Sequence, residues 1–345
     1  RKWGVPIPVF YCKDCGKEIV DKDLMLRVSK IFGQEGSDAW FAHEAEYFLP
    51  EDYKCPHCGA QKGFEKESDI MDVWFDSGSS HAAVLKQRPY LKWPADVYLE
   101  GADQYRGWFQ SSLLTSVAAG QPAPFKQIIT HGWTVDGEGK KMSKSLGNGI
   151  DPLLVIDQYG ADALRFTLAT GNAPGNDMRF SDEKVKASRN FANKLWNASR
   201  FIMMNIEKAP VTDVKLSGLQ MADRWILSKV NTLAKEVTDN LERFELGIAV
   251  AKLYDFIWDV FCDWYIEIAK IRLQSGEGAD TAKAVLVYVL TDILKLLHPF
   301  MPFITEEIYQ AIPHDTESIM ISKWPEYDPT LSFADEEAQM EKIMD

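Results

Sequence analysis

Two Cys-x-x-Cys pairs, Cys12-Lys13-Asp14-Cys15 and Cys55-Pro56-His57-Cys58, constrain the fold of this chain more than any other feature. A glycine, Gly16 or Gly59, follows each pair and lets the turn tighten, which gives both segments the form of a metal knuckle. A tetrahedral four-thiolate zinc site exists only if the two knuckles are brought together. The spacer, residues 16–54, is longer than in a compact zinc ribbon and must hold structure of its own. Asp23 to Gly33 predicts a short helix with Leu24, Val28 and Ile31 on one side. Cys12, Cys15, Cys55 and Cys58 thus read as ligands of one structural zinc rather than as disulfides, the expected use of such pairs in a soluble intracellular protein. Three other readings stand beside it: a site that has lost its metal, a pair of redox thiols, or His57 as a substitute ligand.

Beyond the second knuckle, residues 69–81 (Asp-Ile-Met-Asp-Val-Trp-Phe-Asp-Ser-Gly-Ser-Ser-His) hold carboxylates, small hydroxyls and two aromatics too densely for an ordinary loop. His81 alone establishes nothing, since an isolated histidine is more often structural than catalytic. An α/β pattern follows. Asp96 to Gly101 predicts a strand, residues 103–119 a helix with Asp103 as its cap, and Gln127 to Gly132 a second strand. Two strands joined by a helix form a parallel crossover unit, and ligands bind such sheets off the carboxyl ends of the strands. That edge carries Glu100, Gly101, Asp103 and Gln104 from one strand and His131 and Gly132 from the other. Ordinary strand-end and helix-cap chemistry accounts for Glu100 and Asp103 equally well.

Next comes Gly137-Glu138-Gly139-Lys140-Lys141-Met142-Ser143-Lys144-Ser145-Leu146-Gly147-Asn148. It has no apolar periodicity, so it predicts a loop. Glycines let its backbone fold round a ligand, and lysine ammonium groups suit phosphate. The bland alternative is a solvated basic loop. From 151 the pattern is helical. Asp151-Pro152 is a cap and first turn, Gly160 breaks the helix, and everything after Ser181 reads as all-helical. The helix expected at 183–206 has an apolar stripe of Phe191, Leu195, Ala198 and Ile202. Lys186, Arg189, Asn193, Asn197 and Arg200 lie on another face, and no acid occurs between Lys184 and Asn205. The net charge of −13 argues against bulk non-specific binding of nucleic acid, yet this face is a candidate RNA-backbone surface; a solvated face is its alternative. A helix over about 247–273 places Leu253, Ile257, Val260, Trp264 and Ile268, together with Trp258 and Phe261, in a bundle core, with Cys262 buried and inert. Helices to His298 and from Phe303 to Ile312 follow, and residues after about 325 read as a linker.

Lys141-Met142-Ser143-Lys144-Ser145 is similar to the KMSKS loop of class I aminoacyl-tRNA synthetases, and Leu146-Gly147-Asn148 continues that likeness. Trp3-Gly4-Val5-Pro6-Ile7-Pro8, residues 69–80, Tyr98 to Gln104 and Arg106-Gly107-Trp108-Phe109 occur in the order found in isoleucyl-tRNA synthetases, which the chain resembles over nearly its whole length. The related valyl enzymes usually have another version of the Trp-Phe segment and lysine in place of Leu146. The resemblance implies α/β plus all-α architecture. A connective segment with zinc knuckles spans 1–68, the second half of a Rossmann-type catalytic domain 69–150, a stem-contact segment 151–182, a helical-bundle anticodon-binding domain 183–325 and a truncated linker 326–345. It implies ATP-dependent activation of isoleucine to the adenylate and transfer to tRNA(Ile), with magnesium accompanying ATP and the knuckles holding zinc. Lys144, supported by Lys141, would neutralise the phosphates. Glu100, Gly101, Asp103 and Gln104 would hold the adenylate, His131 and Gly132 would lie along adenine, and Trp74 and Trp108 would wall the amino-acid pocket. Lys186, Arg189 and Arg200 would meet tRNA. The family's His-x-Gly-His signature surrounds none of the six histidines. The chain is therefore expected to be a piece of a longer cytoplasmic protein whose missing N-terminal half completes the ATP site, and to be inactive alone. A non-catalytic tRNA-binding module and a valyl or leucyl enzyme are the alternatives. No apolar run reaches membrane-spanning length.

Overall fold

The computed structural model describes residues 4–143, 145–171, 173–206 and 218–344, in two compact units divided between residues 130 and 131. Trp3 and Lys144 lie outside the described residues.

The first unit begins with a three-stranded antiparallel sheet. Its central strand β1 (Phe10–Cys12) pairs with β2 (Glu18–Ile19) on one side and β3 (Phe64–Lys66) on the other. Phe10 faces Ile19 and Lys66 in register. The spacer holds three helices, α1 (Lys22–Glu35), α2 (Ala39–Ala42) and α3 (Ala45–Phe48). The Asp21 carboxylate accepts from the Leu24 amide at 2.9 Å, which caps α1 just before the expected start. Leu24 and Val28 are buried as the stripe requires. Trp40 fills the centre, 5.2 Å from the Phe10 ring and 4.9 Å from Phe48, and its indole N–H donates to the Glu67 carbonyl. The Lys66 ammonium donates to the carbonyls of Trp40 and His43, which ties β3 to α2.

Beyond β3, α4 (Val73–Gly78) packs on α5 (Trp108–Ala118), and α5 connects β4 (Ala95–Gly101) to its neighbour β5 (Phe125–His131). The strand–helix–strand order is the expected one, but the helix starts at Trp108 rather than 103. Residues Ala102–Arg106 form a 3-10 turn instead, and Gly107 adopts a non-helical conformation. The cap differs as well: the Gln104 side-chain oxygen, not Asp103, accepts from the Trp108 amide at 2.9 Å. Gly107 has a steric reason to interrupt the helix, because a Cβ there would lie 3.0 Å from the Trp74 ring.

In the second unit, β6 (Thr134–Val135) pairs in parallel with β7 (Met178–Arg179). Between them run α6 (Pro152–Tyr159) and α7 (Ala161–Ala169), with Asp151 capping α6, Pro152 in its first turn and Gly160 at φ 92° breaking the two apart. Val155, Ala163, Leu164, Met178, Phe180 and Val185 form a small apolar cluster on which Met142 packs. The bundle then follows: α8 (Asp182–Asn205), α9 (Met221–Glu242), α10 (Leu246–Asp255), α11 (Ile266–Ser275), α12 (Ala279–Leu297) and α13 (Pro302–Ala311). Phe191, Leu195 and Ile202 of α8 are fully buried in its core. The Asp162 carboxylate of α7 caps α13, accepting from the Phe303 amide at 3.2 Å and the Ile304 amide at 2.7 Å, and Arg165 donates to the carbonyls of Pro299 and Phe300.

Two expectations are corrected here. Residues Phe256–Tyr265, between α10 and α11, are wound as a π-helix: Phe261 is buried as expected, but Tyr265, outside the expected stripe, is buried as well, while Val260 and Trp264 of that stripe are half-buried. Cys262 is buried as expected, and burial pushes its thiol up to about 12. The stretch from 326 is no linker: α14 (Ala334–Met344) lies on α9 with Met340 buried, Arg224 pairs with Glu336 at 2.9 Å, and Asn231 bonds the Asp328 backbone. Its sequence is strongly acidic with one buried apolar position, so it carries no stripe for periodicity to register. No helix among the described residues is long and apolar enough to cross a membrane.

Candidate functional site

The four knuckle thiols converge. Cys12 Sγ lies 3.6 Å from Cys58 Sγ and Cys15 Sγ 3.8 Å from Cys55 Sγ, with all four within 4.8 Å of one another. A tetrahedron with zinc–sulfur bonds of about 2.3 Å has sulfur–sulfur edges of about 3.8 Å, so the donor set has the dimensions of a zinc site. The same separations are far beyond the roughly 2.05 Å of a disulfide bond. Each knuckle closes through a glycine at positive φ: the Gly16 amide donates to the Cys12 carbonyl and the Gly59 amide to the Cys55 carbonyl, both at 2.8 Å. The His57 amide points at Cys55 Sγ, 3.4 Å away. Burial raises the Cys55 thiol, but the amides of His57 and Cys58 and the neighbouring thiols bring it down to about 6, while Cys58, despite the Ala60 amide, is pushed up to about 12 by burial and the surrounding thiols, so that without a metal the cluster favours one thiolate shared among its sulfurs. The His57 ring is turned away, with Nε2 3.1 Å from the Glu18 carbonyl, so it is not among the converging ligands.

At the carboxyl end of β4, the Glu100 carboxylate accepts from the Gly101 amide at 2.9 Å, and Asp103 lies exposed in the turn that follows. Gln104 spends its Oε1 on the start of α5, as described, and turns its Nε2 toward Asp103 at 3.5 Å. Trp108 stacks on Tyr98 at 4.2 Å and donates from its indole N–H to the Ser77 carbonyl at 3.1 Å. Trp74 stays 46% exposed, with its ring over Gly107, so the two tryptophans flank the same α4–α5 contact. His81 is buried between Trp93 and Thr115, and burial, with help from Lys86, lowers its pKa. It is a packing residue.

In the second unit, His131 Nδ1 lies 2.8 Å from the Gly132 carbonyl oxygen. Gly132 admits no side chain, since a Cβ would stand 2.0 Å from the Asn176 carbonyl oxygen. The described residues of the lysine loop are held by Asp136, which the sequence pattern does not single out, and by Asn148, the last residue of the stretch that resembles the synthetase loop. Asp136 accepts from the amides of Glu138 and Lys140, and its other oxygen accepts from the Asn148 side chain at 2.8 Å. Asn148 in turn accepts from the Ser143 amide at 2.9 Å. These bonds, led by the one from Asn148, hold the Asp136 carboxyl below its ordinary range. The turn dipeptide Asp136-Gly137 was the available signal. Lys141 bridges to Val135 through the backbone and holds its ammonium 4.6 Å over the Trp133 ring.

On α8, Lys186, Arg189, Asn193, Asn197 and Arg200 are all exposed, and the three cations form no ion pair among the described residues. Lys194, on the flank, is engaged instead: it pairs with Asp263 at 2.7 Å and sits 3.8 Å over the Trp258 ring.

Residues 1–181 match the family described as tRNA synthetases class I (I, L, M and V), and residues 223–345 match the anticodon-binding domain of tRNA ligase. The isoleucine–tRNA ligase of Thermoanaerobacter sp. (strain X514) is 45% identical over 343 residues, covering 94% of this chain and 36% of that protein. The valine–tRNA ligase of Clostridium tetani (strain Massachusetts / E88) is 44% identical over 352 residues, covering 99% of this chain and 37% of that protein. The chain thus spans about a third of the length of the curated relatives it matches. Among solved structures, the leucyl enzyme of Agrobacterium radiobacter K84, in a ternary complex with tRNA and LeuAMS, shares the fold. Its TM-score is 0.71 at 24% identity, with 96% of this chain and 42% of that one covered. Mycobacterium tuberculosis methionyl-tRNA synthetase, in complex with methionyl-adenylate, gives a TM-score of 0.57 at 18% identity, with 87% and 69% covered.

Proposed function

This chain belongs to the class I tRNA synthetases of the isoleucine, leucine, methionine and valine group, and from that membership we propose that the protein containing it is an isoleucine–tRNA ligase. The reaction joins isoleucine to ATP through attack of the amino-acid carboxylate on the α-phosphorus, with pyrophosphate leaving. The acyl group then passes to a ribose hydroxyl of tRNA(Ile). No covalent enzyme intermediate is required, so the protein's part is positioning and charge stabilisation.

The observation that carries this reading is the lysine loop, with its KMSKS order and its closure by Asp136 and Asn148. In our reading Lys144 meets the charge that builds up as pyrophosphate departs, Lys141 supports it, and magnesium bound with ATP supplies further neutralisation. Glu100, Gly101, Asp103 and Gln104 hold the adenylate, His131 and Gly132 run along the adenine, and Trp74 and Trp108 border the amino-acid side chain. Lys186, Arg189 and Arg200 take the tRNA backbone. Zinc on Cys12, Cys15, Cys55 and Cys58 serves structure, because four thiolates leave no open position for substrate. The segments are assigned as a zinc-knuckle part to 68, half of a catalytic domain to 150, a stem-contact part to 182 and a helical anticodon-binding part beyond, in a protein of the cytoplasm.

Valine is the second reading, favoured by the near-equal identity to the valine enzyme. Leu146 and the Trp74-Phe75 pair favour isoleucine. The test is ATP–pyrophosphate exchange by the intact protein. Isoleucine should drive exchange at a far higher kcat/KM than valine, and Lys144→Ala should reduce the exchange rate by roughly a hundredfold to a thousandfold, the usual cost of one transition-state charge contact. Exchange driven better by valine would transfer the assignment to the valine enzyme. Exchange untouched by Lys144→Ala would remove the loop from the mechanism.

A further inference from the structure

We propose that Asp136 and Asn148 are positioning residues for the activation step: paired with each other and with the loop backbone, they hold residues 141–143, which lead into Lys144, in one shape. The proposal rests on the functional reading of the lysine loop and adds the residues that keep its charge in place.

The Asn148 carboxamide directs its donors and its acceptor at the loop. Its nitrogen donates to the Asp136 carboxylate at 2.8 Å and to the Lys141 carbonyl at 3.3 Å, and its oxygen accepts from the Ser143 amide at 2.9 Å. The Lys141 carbonyl and the Ser143 amide flank Met142 and are the groups that an adjacent strand would bond there. The carboxamide thus stands in for a strand partner, while Met142 packs on the apolar cluster of Val155, Ala163 and Leu164.

Asp136 divides its carboxylate. One oxygen accepts from the amides of Glu138 and Lys140 at 3.1 and 2.8 Å, and the other meets Asn148. A carboxylate only accepts, so Asn148 must turn its NH2 toward Asp136, which leaves its oxygen for Ser143. The Ser143 hydroxyl in turn lies 3.1 Å from that of Ser145 and accepts from the Leu146 amide at 3.3 Å. The residues on both sides of Lys144 are therefore tied to each other and, through Asn148, to Asp136.

An ammonium on a free loop must be ordered as phosphate charge develops, and each residue fixed at that moment costs conformational entropy. The bond between Asp136 and Asn148 joins residues 12 apart and removes part of that freedom beforehand. Neither residue is a cation, and both direct their polar atoms to the loop. They act on the phosphates only through where the lysines stand.

Reversing the pair separates this role from stability alone. Asp136→Asn sets NH2 against NH2, or forces Asn148 to turn its NH2 on the Ser143 amide. Asn148→Asp sets carboxylate against carboxylate. The double variant Asp136→Asn/Asn148→Asp again faces one donor with one acceptor and keeps an acceptor for Ser143, losing only the long bond to the Lys141 carbonyl. ATP–pyrophosphate exchange by the intact protein is measured with the amino acid that drives it, and kcat is counted per active site from the adenylate burst. Each single variant should lower kcat about tenfold or more, with the KM of the amino acid within about twofold. The double variant should recover to within about threefold of the unaltered protein, the non-additivity expected of a direct pair. A merely structural role would lower the melting temperature and leave kcat per active site unchanged. Asn148→Ser, which removes the bonds without opposing charges, should also lower kcat and stands in should Asn148→Asp fail to fold. Unchanged kcat in the folded single variants, or a double variant no better than the worse single one, overturns the positioning role. Lys144→Ala in the same assay keeps the two layers apart: if it too leaves exchange unchanged, the functional reading of the loop fails, and if it alone lowers exchange, only the positioning role falls.

Discussion

Cys12 and Cys58 come from segments 46 residues apart, and their sulfurs stand at the edge length of a zinc tetrahedron. Protein purified without chelator should contain about one zinc per chain. Cys58→Ser should lower that occupancy and the melting temperature together, read by metal analysis and calorimetry; a zinc-free protein with four freely titrating thiols would contradict the assignment. The two thiol pairs were legible in the spacing, because a Cys-x-x-Cys-Gly turn is a local object, whereas their convergence is the work of the fold. The fate of His57 was not legible, since only the fold supplies the Glu18 carbonyl that turns its ring away. Gly132 gives a similar lesson. The sequence offered it as backbone beside adenine, whereas the structure gives it a prior reason to be glycine, the Asn176 carbonyl pressed against its Cα.

Among the elements, α8 was the most readable. Its stripe of Phe191, Leu195, Ala198 and Ile202 repeats at helical spacing and is buried, and its acid-free face is exposed. Changing Lys186, Arg189 and Arg200 together to glutamine should weaken tRNA binding by the intact protein. It should also flatten the slope of log affinity against log salt by about two to three units, roughly one for each phosphate no longer neutralised. An unchanged slope would return the face to plain solvation. The π-wound stretch at 256–265 was not readable. Buried positions there include 253, 257, 261, 265 and 269, four apart each time, with Phe256, Cys262 and Ile266 buried beside them. On a helix of 3.6 residues per turn, that spacing drifts by about 40° at every step. Wider turns absorb the drift and bring Tyr265 and Arg272 to the buried Asp223 carboxylate, 2.7 Å and 2.6 Å away. Periodicity read at 3.6 residues assigns such a segment to the core but selects the wrong neighbours. The start of α5 failed for a different reason: Gly107 lies under a Trp74 ring that is distant in sequence.

For the whole molecule, the boundary expected near residue 325 is not one of folding. The last stretch, which reads as polar linker, covers α9 through Met340, Glu336 and Asp328. A chain ending at residue 325 should unfold at lower urea, with a reduced m-value because less surface is buried in the native state. An unchanged midpoint would show that α14 only rests on the bundle. The cap that Asp162 supplies to α13 reaches across a division of another kind. Asp162 and Arg165 belong to the stretch that matches the synthetase family, while the turn they hold belongs to the stretch that matches the anticodon-binding family. A hybrid that joined this bundle to a catalytic part from another lineage would inherit an uncapped α13 and two idle carbonyls unless the donor also placed an acid and an arginine three residues apart at those positions. Such a hybrid would start from a deficit on the order of one helix cap, typically about 1 kcal/mol, before any other mismatch between its two parts.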